Sequence, residues 1–283
     1  MVRPDQKGDA TSREGDKSRA PKELTPAPGT SVRHVVPVMS GKGGVGKSTV
    51  AALLAVRLTM AGWQVGILDA DVTGPSIPKL FGIKPSPVVA KGGLVPATSR
   101  LGIRVMSLNL LLPREDEPVI WRGPLIAGAV RQFWTDVLWG QLDCLVVDLP
   151  PGTGDAPLTV LQSIPVDGVV IVSAPQQLTT MVVSKAIGMA RRLGAPILGL
   201  VENMSGVRCS RCGELIQVFG PSQARRICGS AGIRLLGVLP LDPELSRLGD
   251  RGAIEEYAGG EFLGVVASLL EADQARHQRG GRS

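Results

Sequence analysis

The stretch from Gly41 to Ser48 reads G-K-G-G-V-G-K-S and fits the pattern G-x-x-x-x-G-K-S. In this pattern a glycine-rich turn wraps its backbone N–H groups around the phosphates of a nucleotide. A short apolar run, Val35–Met39, precedes the turn, and an alanine- and leucine-rich run of helical length, Thr49–Met60, follows it. This order of strand, loop and helix predicts an α/β nucleotide-binding fold; a glycine-rich turn that caps a helix and binds nothing is the alternative.

The residues of the loop are expected to divide the work of binding. Glycine permits close approach of the backbone and positive φ angles. The Lys47 ammonium should reach the β- and γ-phosphates, and the Ser48 hydroxyl should bind Mg²⁺. The predicted nucleotide-binding residues of this segment are Gly41, Lys42, Gly43, Gly44, Val45, Gly46, Lys47, Ser48 and Thr49.

Apolar runs of strand length alternate with helical stretches along the rest of the chain, which predicts a mostly parallel sheet with helices on both faces. Further strands are expected at Gln64–Asp69, Ile103–Leu108, Cys144–Leu149, Gly168–Ser173, Ile197–Val201 and Leu235–Leu239. Further helices are expected at Pro124–Leu138, Asp155–Ser163, Thr179–Leu193, Ser222–Ala231 and Glu261–Ala275. Residues 84–99, rich in Pro and Gly, should form an irregular excursion or a small hairpin.

The chain of 283 residues is 43% hydrophobic, enough for one large core. Residues 31–275 are predicted to form a single P-loop ATPase domain. Residues 1–30 are polar and charged and hold almost no large apolar side chains, so a disordered tail is expected there. Residues 276–283 are expected to form a second, basic disordered tail.

The net charge of +6 is concentrated in basic residues of the two tails, and the remaining positive charges are scattered. No specific nucleic-acid partner is therefore predicted, although weak binding of the tails to nucleic acid or a membrane surface stays open. No apolar run approaches the roughly 20 residues that span a bilayer. The amino-terminal segment resembles neither a signal nor a transit peptide, and the four cysteines suggest reduced thiols or metal ligands, so a cytoplasmic location is expected.

Carboxylates follow two of the predicted strands, where ligands bind in such sheets. Asp71 is predicted to hold the attacking water, and Asp69 to support Mg²⁺ or the loop indirectly, although either could cap the following turn. Asp148 follows L-V-V in a Walker-B arrangement and should hold Mg²⁺ directly or through water. Gly152, in the next loop, could offer its N–H to the γ-phosphate, and Asp155 is a candidate cap of the next helix.

Cys209 and Cys212 lie in R-C-S-R-C-G, whose C-x-x-C spacing lets two thiolates face one metal centre. Arg208 and Arg211 beside them are expected to favour the thiolate forms. Two thiolates are half of the set that a [4Fe-4S] cluster normally takes, and a symmetric dimer would supply the other half. A redox dithiol and a zinc site shared by two chains are the alternatives. The remaining cysteines lie in an apolar strand, as expected core, and in a helical stretch: Cys144 and Cys228.

Taken together, the segments G-K-G-G-V-G-K-S-T, L-D-A-D-V-T-G-P-S, D-L-P-P-G-T-G-D, E-N-M-S and G-V-L-P-L-D-P-E resemble the Mrp/Nbp family of P-loop ATPases, relatives of MinD and ParA. The resemblance covers about residues 34–260. It implies a deviant Walker A fold, an ATP-dependent homodimer, and a carrier or scaffold that delivers iron–sulfur clusters to apoproteins. The loop together with Asp71 and Asp148 predicts slow Mg²⁺-dependent hydrolysis of ATP.

The resemblance also implies roles for individual residues. Lys42 resembles the signature lysine that crosses the dimer interface to the partner's nucleotide. The alternative is that Lys42 is a loop lysine exposed to solvent. The side-chain amide of Asn203 would read the adenine edge, and Pro240 and Leu241 would border the base. By chemistry alone, an Asn at a strand end could equally close a turn.

A positioning ATPase of the ParA/MinD type, acting on DNA or membrane, is the second candidate function. Such proteins share the loop and both carboxylate motifs. The C-x-x-C segment and the polar stretch 271–283, which lacks the apolar face of a membrane-binding helix, favour the cluster carrier.

Overall fold

The computed structural model describes residues 25–71, 74, 76–84, 88–107, 110, 123–175 and 179–280. Its strands are β1 (Ser31–Ser40), β2 (Val65–Asp69), β3 (Val88–Ala90), β4 (Gly93–Val95), β5 (Ala97–Thr98), β6 (Arg104–Ser107), β7 (Gln141–Asp148), β8 (Val169–Ser173), β9 (Ile197–Glu202), β10 (Val207–Arg208), β11 (Leu215–Ile216) and β12 (Leu235–Val238). Its helices are α1 (Lys47–Met60), α2 (Ile77–Leu80), α3 (Gly123–Asp136), α4 (Asp155–Leu161), α5 (Thr179–Arg192), α6 (Ala224–Ala231), α7 (Pro243–Asp250) and α8 (Val265–Gly280), with 3₁₀ turns at Ile254–Glu256 and Glu261–Gly264.

Eight strands form one sheet in the order β12-β9-β8-β1-β7-β2-β6-β5, and every neighbouring pair is parallel except β5 with β6. The carboxyl ends of the parallel strands therefore share one edge. The register places Asp148 beside both Val38 of β1 and Asp69 of β2. This pairing brings the end of the strand before the glycine-rich loop next to two carboxylates.

Helices cover both faces of the sheet, as predicted. Alternate side chains of β1 enter two separate cores: Val36 and Val38 pack with the residues of α1, whereas Val35 and Met39 pack with those of α3 and α5. A parallel strand buried on both faces reads as a continuous apolar run, which explains why the sequence revealed these strands. The predicted fold class is confirmed.

The predicted strands of the main sheet are present, within a few residues of their expected ends. β1 begins earlier than the predicted Val35, because its polar first residues still pair with β7. Residues 88–95 form the small antiparallel hairpin β3–β4 that the sequence left as one of two options. The short helices α2 and α7 were missed.

The described fold reaches beyond both predicted boundaries of the ATPase domain. Ala27 is buried and its carbonyl accepts the Thr30 N–H at 2.9 Å, so part of the expected amino-terminal tail belongs to the described fold. Residues 1–24 lie outside the described residues. Helix α8 continues to Gly280, past the predicted boundary at 275, because its alanines, glutamines and arginines are good helix formers.

Near the amino ends of β2 and β8, two aspartate carboxylates accept backbone N–H groups. Asp167 accepts the Val35 N–H at 2.7 Å, and Asp143 accepts the backbone N–H just before β2 at 2.8 Å. His34 is buried there and stacks on Trp63, with ring centroids 5.7 Å apart. Burial lowers the pKa of His34, and the nearby Asp167 carboxylate partly opposes this effect.

Candidate functional site

The glycine-rich loop needs glycine for two different reasons. Gly44 and Gly46 have φ angles of 80° and 75°, in the left-handed region that L side chains rarely adopt. A Cβ on Gly46 would also lie 2.2 Å from the Asn203 side-chain nitrogen, and one on Gly41 would lie 2.1 Å from Val182 Cγ1. The loop is therefore packed against β9 and α5 as tightly as its backbone allows.

Four residues predicted to bind phosphate, metal or water come together at the carboxyl ends of β2 and β7. Lys47 is only 5% exposed, and its ammonium donates to Asp148 Oδ1 at 2.5 Å. The same nitrogen lies 3.7 Å from Asp71 Oδ2 and 3.4 Å from the Ser48 hydroxyl oxygen. One buried cation thus lies between two carboxylates at the mouth of the loop.

Asp148 is fully buried, and burial raises its pKa, with Lys47 and then Ser48 opposing this effect. Its second carboxylate oxygen, Oδ2, is buried and has no hydrogen-bond partner among the residues that the structure describes. A carboxylate oxygen with an open coordination position, next to a serine hydroxyl, is the kind of donor pair that Mg²⁺ takes alongside phosphate oxygens. The residues therefore fit Mg²⁺, the metal that the sequence predicts at Ser48 and Asp148.

Asp69 serves the chain segment that follows β2. Its carboxylate accepts the backbone N–H groups of Asp71 at 3.1 Å and Ile77 at 3.3 Å, and the Ser107 hydroxyl at 3.2 Å. Burial, followed by the neighbouring Asp148 carboxylate, raises its pKa well above the usual range. Asp69 thus holds the backbone of Asp71 in place. This role is close to the alternative that Asp69 caps the turn after β2. Ser107, from the adjacent strand end, was not predicted.

Gly152, the predicted γ-phosphate sensor, already uses its backbone N–H in a hydrogen bond within the chain. The Gly152 N–H donates to the Ser40 carbonyl at 3.0 Å, and the Ser40 hydroxyl donates to the Lys42 carbonyl at 2.9 Å. Ser40 therefore ties the loop after β7 to the glycine-rich loop. For Gly152 to bind a phosphate, its bond to Ser40 must break, so the sensor role stays a prediction. Lys42 itself is half-buried.

Two cavities meet at the loop. One, of about 270 Å³, is lined by the loop glycines together with Lys47, Ser48 and Asp71. The other, of about 400 Å³, is lined by residues of α2 and α7 and by Asn203, Met204, Pro240 and Leu241. Gly46, Thr49 and Ser76 line both.

The second cavity, called the base cavity below, contains the predicted base-binding residues Asn203, Pro240 and Leu241. Asn203 is buried, and its side-chain amide nitrogen donates to the Val45 carbonyl at 3.0 Å. It therefore also holds the glycine-rich loop in place. The wall formed by α2 and α7 was missed because both helices were missed, although Asp242 caps α7 by accepting the Glu244 N–H at 2.9 Å.

The two predicted cluster ligands lie in the turn of a separate two-stranded hairpin. β10 and β11 pair in antiparallel fashion, and the Cys209 N–H donates to the Glu214 carbonyl at 2.8 Å. The Gly213 N–H in turn donates to the Cys209 carbonyl at 2.9 Å. Cys212 is exposed and Cys209 partly so. Residues 207–216 are called the cysteine hairpin below.

The turn itself activates a thiol. The backbone N–H of Cys212, then that of Arg211, and then the Cys212 side chain lower the pKa of Cys209 by hydrogen bonding. These groups are responsible, rather than the guanidinium charges that the sequence suggested. Burial raises the pKa of both remaining thiols, Cys144 and Cys228, and the prediction that Cys144 belongs to the core is confirmed.

The hairpin offers half of a metal site and an apolar surface. Among the described residues, no group of three or more His, Cys, Asp or Glu side chains could hold a metal ion. Four large apolar side chains in and just after β11 are exposed, and they are called the apolar strip: Leu215, Ile216, Val218 and Phe219.

The family of P-loop NTPases described as "ParA: NUBPL iron-transfer P-loop NTPase" matches residues 31–266. The chain belongs to this family. This membership confirms the resemblance to Mrp/Nbp proteins. The matched region contains the glycine-rich loop, both carboxylate strands, the base cavity and the cysteine hairpin.

This NUBPL-type NTPase is 42% identical over 255 residues to the iron-sulfur cluster carrier protein of Methanocaldococcus jannaschii, covering 88% of each chain. It is 41% identical over 247 residues to the cytosolic Fe-S cluster assembly factor CFD1 of Chaetomium globosum, covering 82% of each. A nucleotide-binding protein of Archaeoglobus fulgidus, solved in complex with ADP, shares 48% identity with a TM-score of 0.73, covering 82% of this chain and 90% of that one.

The fold of the NUBPL-type NTPase extends to more distant proteins. The cell division ATPase MinD of Pyrococcus furiosus superposes with a TM-score of 0.60 at 19% identity, over 85% of this chain and 99% of MinD. At this identity the likeness concerns the fold alone. In the described part of the chain, no helix has the length and apolar character needed to cross a membrane.

Proposed function

We propose that this chain is an ATP-binding and ATP-hydrolysing carrier that holds a [4Fe-4S] cluster between two copies of itself and transfers it to apoproteins in the cytoplasm. One observation carries the proposal: the chain that forms an exposed turn with two thiols, Cys209 and Cys212, also forms a cavity lined by the glycine-rich loop. The family and the carrier names of the relatives support it.

ATP hydrolysis would use the buried charges at the strand ends. Mg²⁺, when bound, neutralises charge that develops on the phosphates. Ser48 and Asp148 would hold it, consistent with the unpartnered Asp148 Oδ2. Lys47, bonded to Asp148 in the described structure, would turn to the β- and γ-phosphates, which compete for its ammonium. Asp71 would accept a hydrogen bond from the attacking water and so orient it.

A second copy would complete both sites. Lys42 would reach the partner's nucleotide and neutralise charge there only after assembly, which couples hydrolysis to dimerisation. Gly152 would bind the γ-phosphate after releasing the Ser40 carbonyl. Two thiols from each chain would supply the four ligands of the cluster. The apolar strip beside them supports a covering partner, because exposed apolar patches often mark interaction sites.

Anaerobic reconstitution with iron and sulfide tests the proposal. We expect about four irons per dimer and absorbance near roughly 400 nm from thiolate-to-iron charge transfer. Cys209→Ala and Cys212→Ala should each abolish iron uptake. Cys228→Ala is the matched control and should retain it, because that thiol is buried in α6. Stoichiometric zinc without iron uptake, or a cluster that survives the loss of Cys212, would overturn the proposal.

A positioning ATPase of the ParA/MinD type remains the second candidate, because such proteins share the glycine-rich loop and both carboxylate motifs. ATP-dependent binding to anionic vesicles or to DNA, combined with no iron uptake, would favour that candidate over the carrier. Loss of iron uptake alone would not.

A further inference from the structure

We propose that Gly206 is a positioning residue that docks the cysteine hairpin on the wall of the base cavity, so that nucleotide binding there changes the reactivity of Cys209 and Cys212. The inference rests on the proposed function, because it assumes that a nucleotide base fills this cavity. It adds the route by which the two sites communicate and a residue on that route.

Two backbone segments form the shared wall. Residues 203–206, the linker, run from the end of β9 to the cysteine hairpin, and residues 239–241 continue β12 beside them. The Ser205 N–H donates to the Leu239 carbonyl at 3.0 Å, and the Leu241 N–H donates to the Gly206 carbonyl at 2.8 Å. A parallel bridge between Val207 and Leu241 extends this pairing.

The same two segments line the base cavity. Asn203 and Met204 of the linker, and Pro240 and Leu241 of the opposite segment, all belong to its wall. A base in the cavity would therefore contact both sides of the pairing. Cys209 follows Gly206 by three residues, which limits the distance between their Cα atoms to about 11 Å.

Gly206 joins the linker to the hairpin by close contact. A Cβ on Gly206 would lie 2.6 Å from the Ile216 carbonyl oxygen and 3.2 Å from the side chain of Leu215, both in β11. Its backbone is extended, so this contact, rather than the dihedral angle, requires glycine. Because β11 lies directly against the Gly206 Cα, a shift of the linker must also shift the hairpin.

The linker also contains a conformation that can change. Met204 has a φ angle of 59° and is the one non-glycine residue with positive φ among the residues that the structure describes. Such residues store backbone strain and occur preferentially at switch regions and ligand clamps. Met204 lines the base cavity, so a base that contacts it can bias its backbone.

Thermodynamic linkage makes the proposal testable from both sides. If nucleotide binding changes the affinity of the thiolates for a metal ion, the metal ion must change nucleotide affinity by the same factor. Typical couplings between sites correspond to about fivefold or more.

The first experiment measures alkylation of each cysteine of the full chain by iodoacetamide at fixed pH, with and without saturating ADP, by mass spectrometry. We expect ADP to change the rates at Cys209 and Cys212 by about fivefold or more. The buried thiols of Cys144 and Cys228 are internal controls and should not respond. In parallel, calorimetry of ADP binding with and without Zn²⁺ should show a change in ADP affinity of about fivefold or more, by the same factor and in the same sense as ADP changes the affinity for Zn²⁺.

The variant Gly206→Ala should still bind ADP, because Gly206 does not line the cavity, but its cysteines should no longer respond. Gly188→Ala is the matched control in α5, where an added Cβ meets no atom within 4 Å, and it should behave as the parent chain. If Gly206→Ala does not fold, the reciprocal ADP and Zn²⁺ measurements on the parent chain decide.

ADP binding without any change in thiol reactivity or Zn²⁺ linkage would overturn the inference and leave the proposed function intact. An unaltered response in folded Gly206→Ala would overturn the role of Gly206. Absence of ADP binding would overturn the proposed function, and this inference with it.

Discussion

The two ends of the central sheet differ in how far the chain itself satisfies their aspartates. At the amino ends, Asp167 and Asp143 accept backbone N–H groups at 2.7 and 2.8 Å, so the chain itself satisfies their carboxylates. At the carboxyl ends, Asp69 and Asp148 lie in register on paired strands, and burial raises the pKa of each.

The difference separates a structural end from a functional one. At the carboxyl end, the buried Lys47 ammonium lies between two carboxylates, those of Asp71 and Asp148. The Oδ2 atom of Asp148 lacks a hydrogen-bond partner among the described residues. Buried charges that are incompletely paired lower the stability of the fold unless a bound ligand supplies the missing partner. Substitutions at the carboxyl end should therefore change turnover most, whereas substitutions at the amino end should change stability alone.

Lys47→Ala should have the largest effect. Phosphoryl transfer depends on positioning and charge neutralisation, so both ATP binding and turnover should be lost, with turnover at least about a thousandfold lower. Calorimetry and phosphate release measure the two quantities. Lys185→Ala, an exposed lysine of α5, is the control. Normal hydrolysis by Lys47→Ala would refute the assignment of the carboxyl end as the functional one.

Lys42→Gln should leave the monomer folded and reduce turnover on the order of a thousandfold, the low end for a charge supplied in trans. ATP-driven dimerisation, followed by light scattering, should weaken as well. Unchanged turnover together with unchanged dimerisation would refute the crossing role of this lysine.

Asp71→Asn should separate binding from chemistry. ATP affinity should stay within a few-fold, because Lys47 and Ser48 remain available to the phosphates and Mg²⁺, while kcat should fall on the order of a hundredfold through loss of the water-orienting carboxylate. Single-turnover kinetics with parallel binding measurements check this. Equal losses in affinity and kcat would instead indicate a damaged loop.

Asp167→Ala tests the amino end. Loss of the acceptor leaves the Val35 N–H without its partner, which should cost about 1 kcal/mol of unfolding free energy in urea. Turnover per folded molecule should be unchanged. A tenfold loss of turnover at full folding would break the proposed division between the two ends.

His34 should give the smallest effect. Its pKa is lowered in the folded chain by burial, with Asp167, Arg33, Asp143 and Glu271 contributing charge. The unfolded chain, with a pKa near 6.5, takes up the proton first on acidification. Stability should therefore be full above about pH 6.5 and fall below it, by less than roughly 1.4 kcal/mol per pH unit. His34→Phe should remove this component; an unchanged pH profile in urea titrations would contradict it.

Sequence patterns revealed the elements whose signal is local. The spacing of the loop glycines predicted the turn between β1 and α1, and apolar runs that end in Asp69 and Asp148 predicted two strand ends. Ser40 and Ser107 escaped, because their roles depend on which strands become neighbours. Helix α2 has only four residues and is too short to show a helical period.

The base cavity and the cysteine turn show the same limit. Pro240 and Leu241 were assigned through family resemblance, but the facing wall of α2 and α7 comes from tertiary packing. The lowered pKa of Cys209 arises from N–H groups that only the folded turn directs at its sulfur. The sequence suggested the neighbouring arginine charges as the cause, whereas hydrogen bonds within the turn lower the pKa of Cys209.

The eight-stranded sheet ends on both sides in very short strands, since β12 has four residues and β5 has two. Long, flat edge strands invite pairing with other chains and promote aggregation, and short edges suppress it. Sheet extension between copies is thereby disfavoured. A partner polypeptide is instead expected at the exposed cysteine hairpin and its apolar strip, where contacts can form and later break, as a reversible carrier requires.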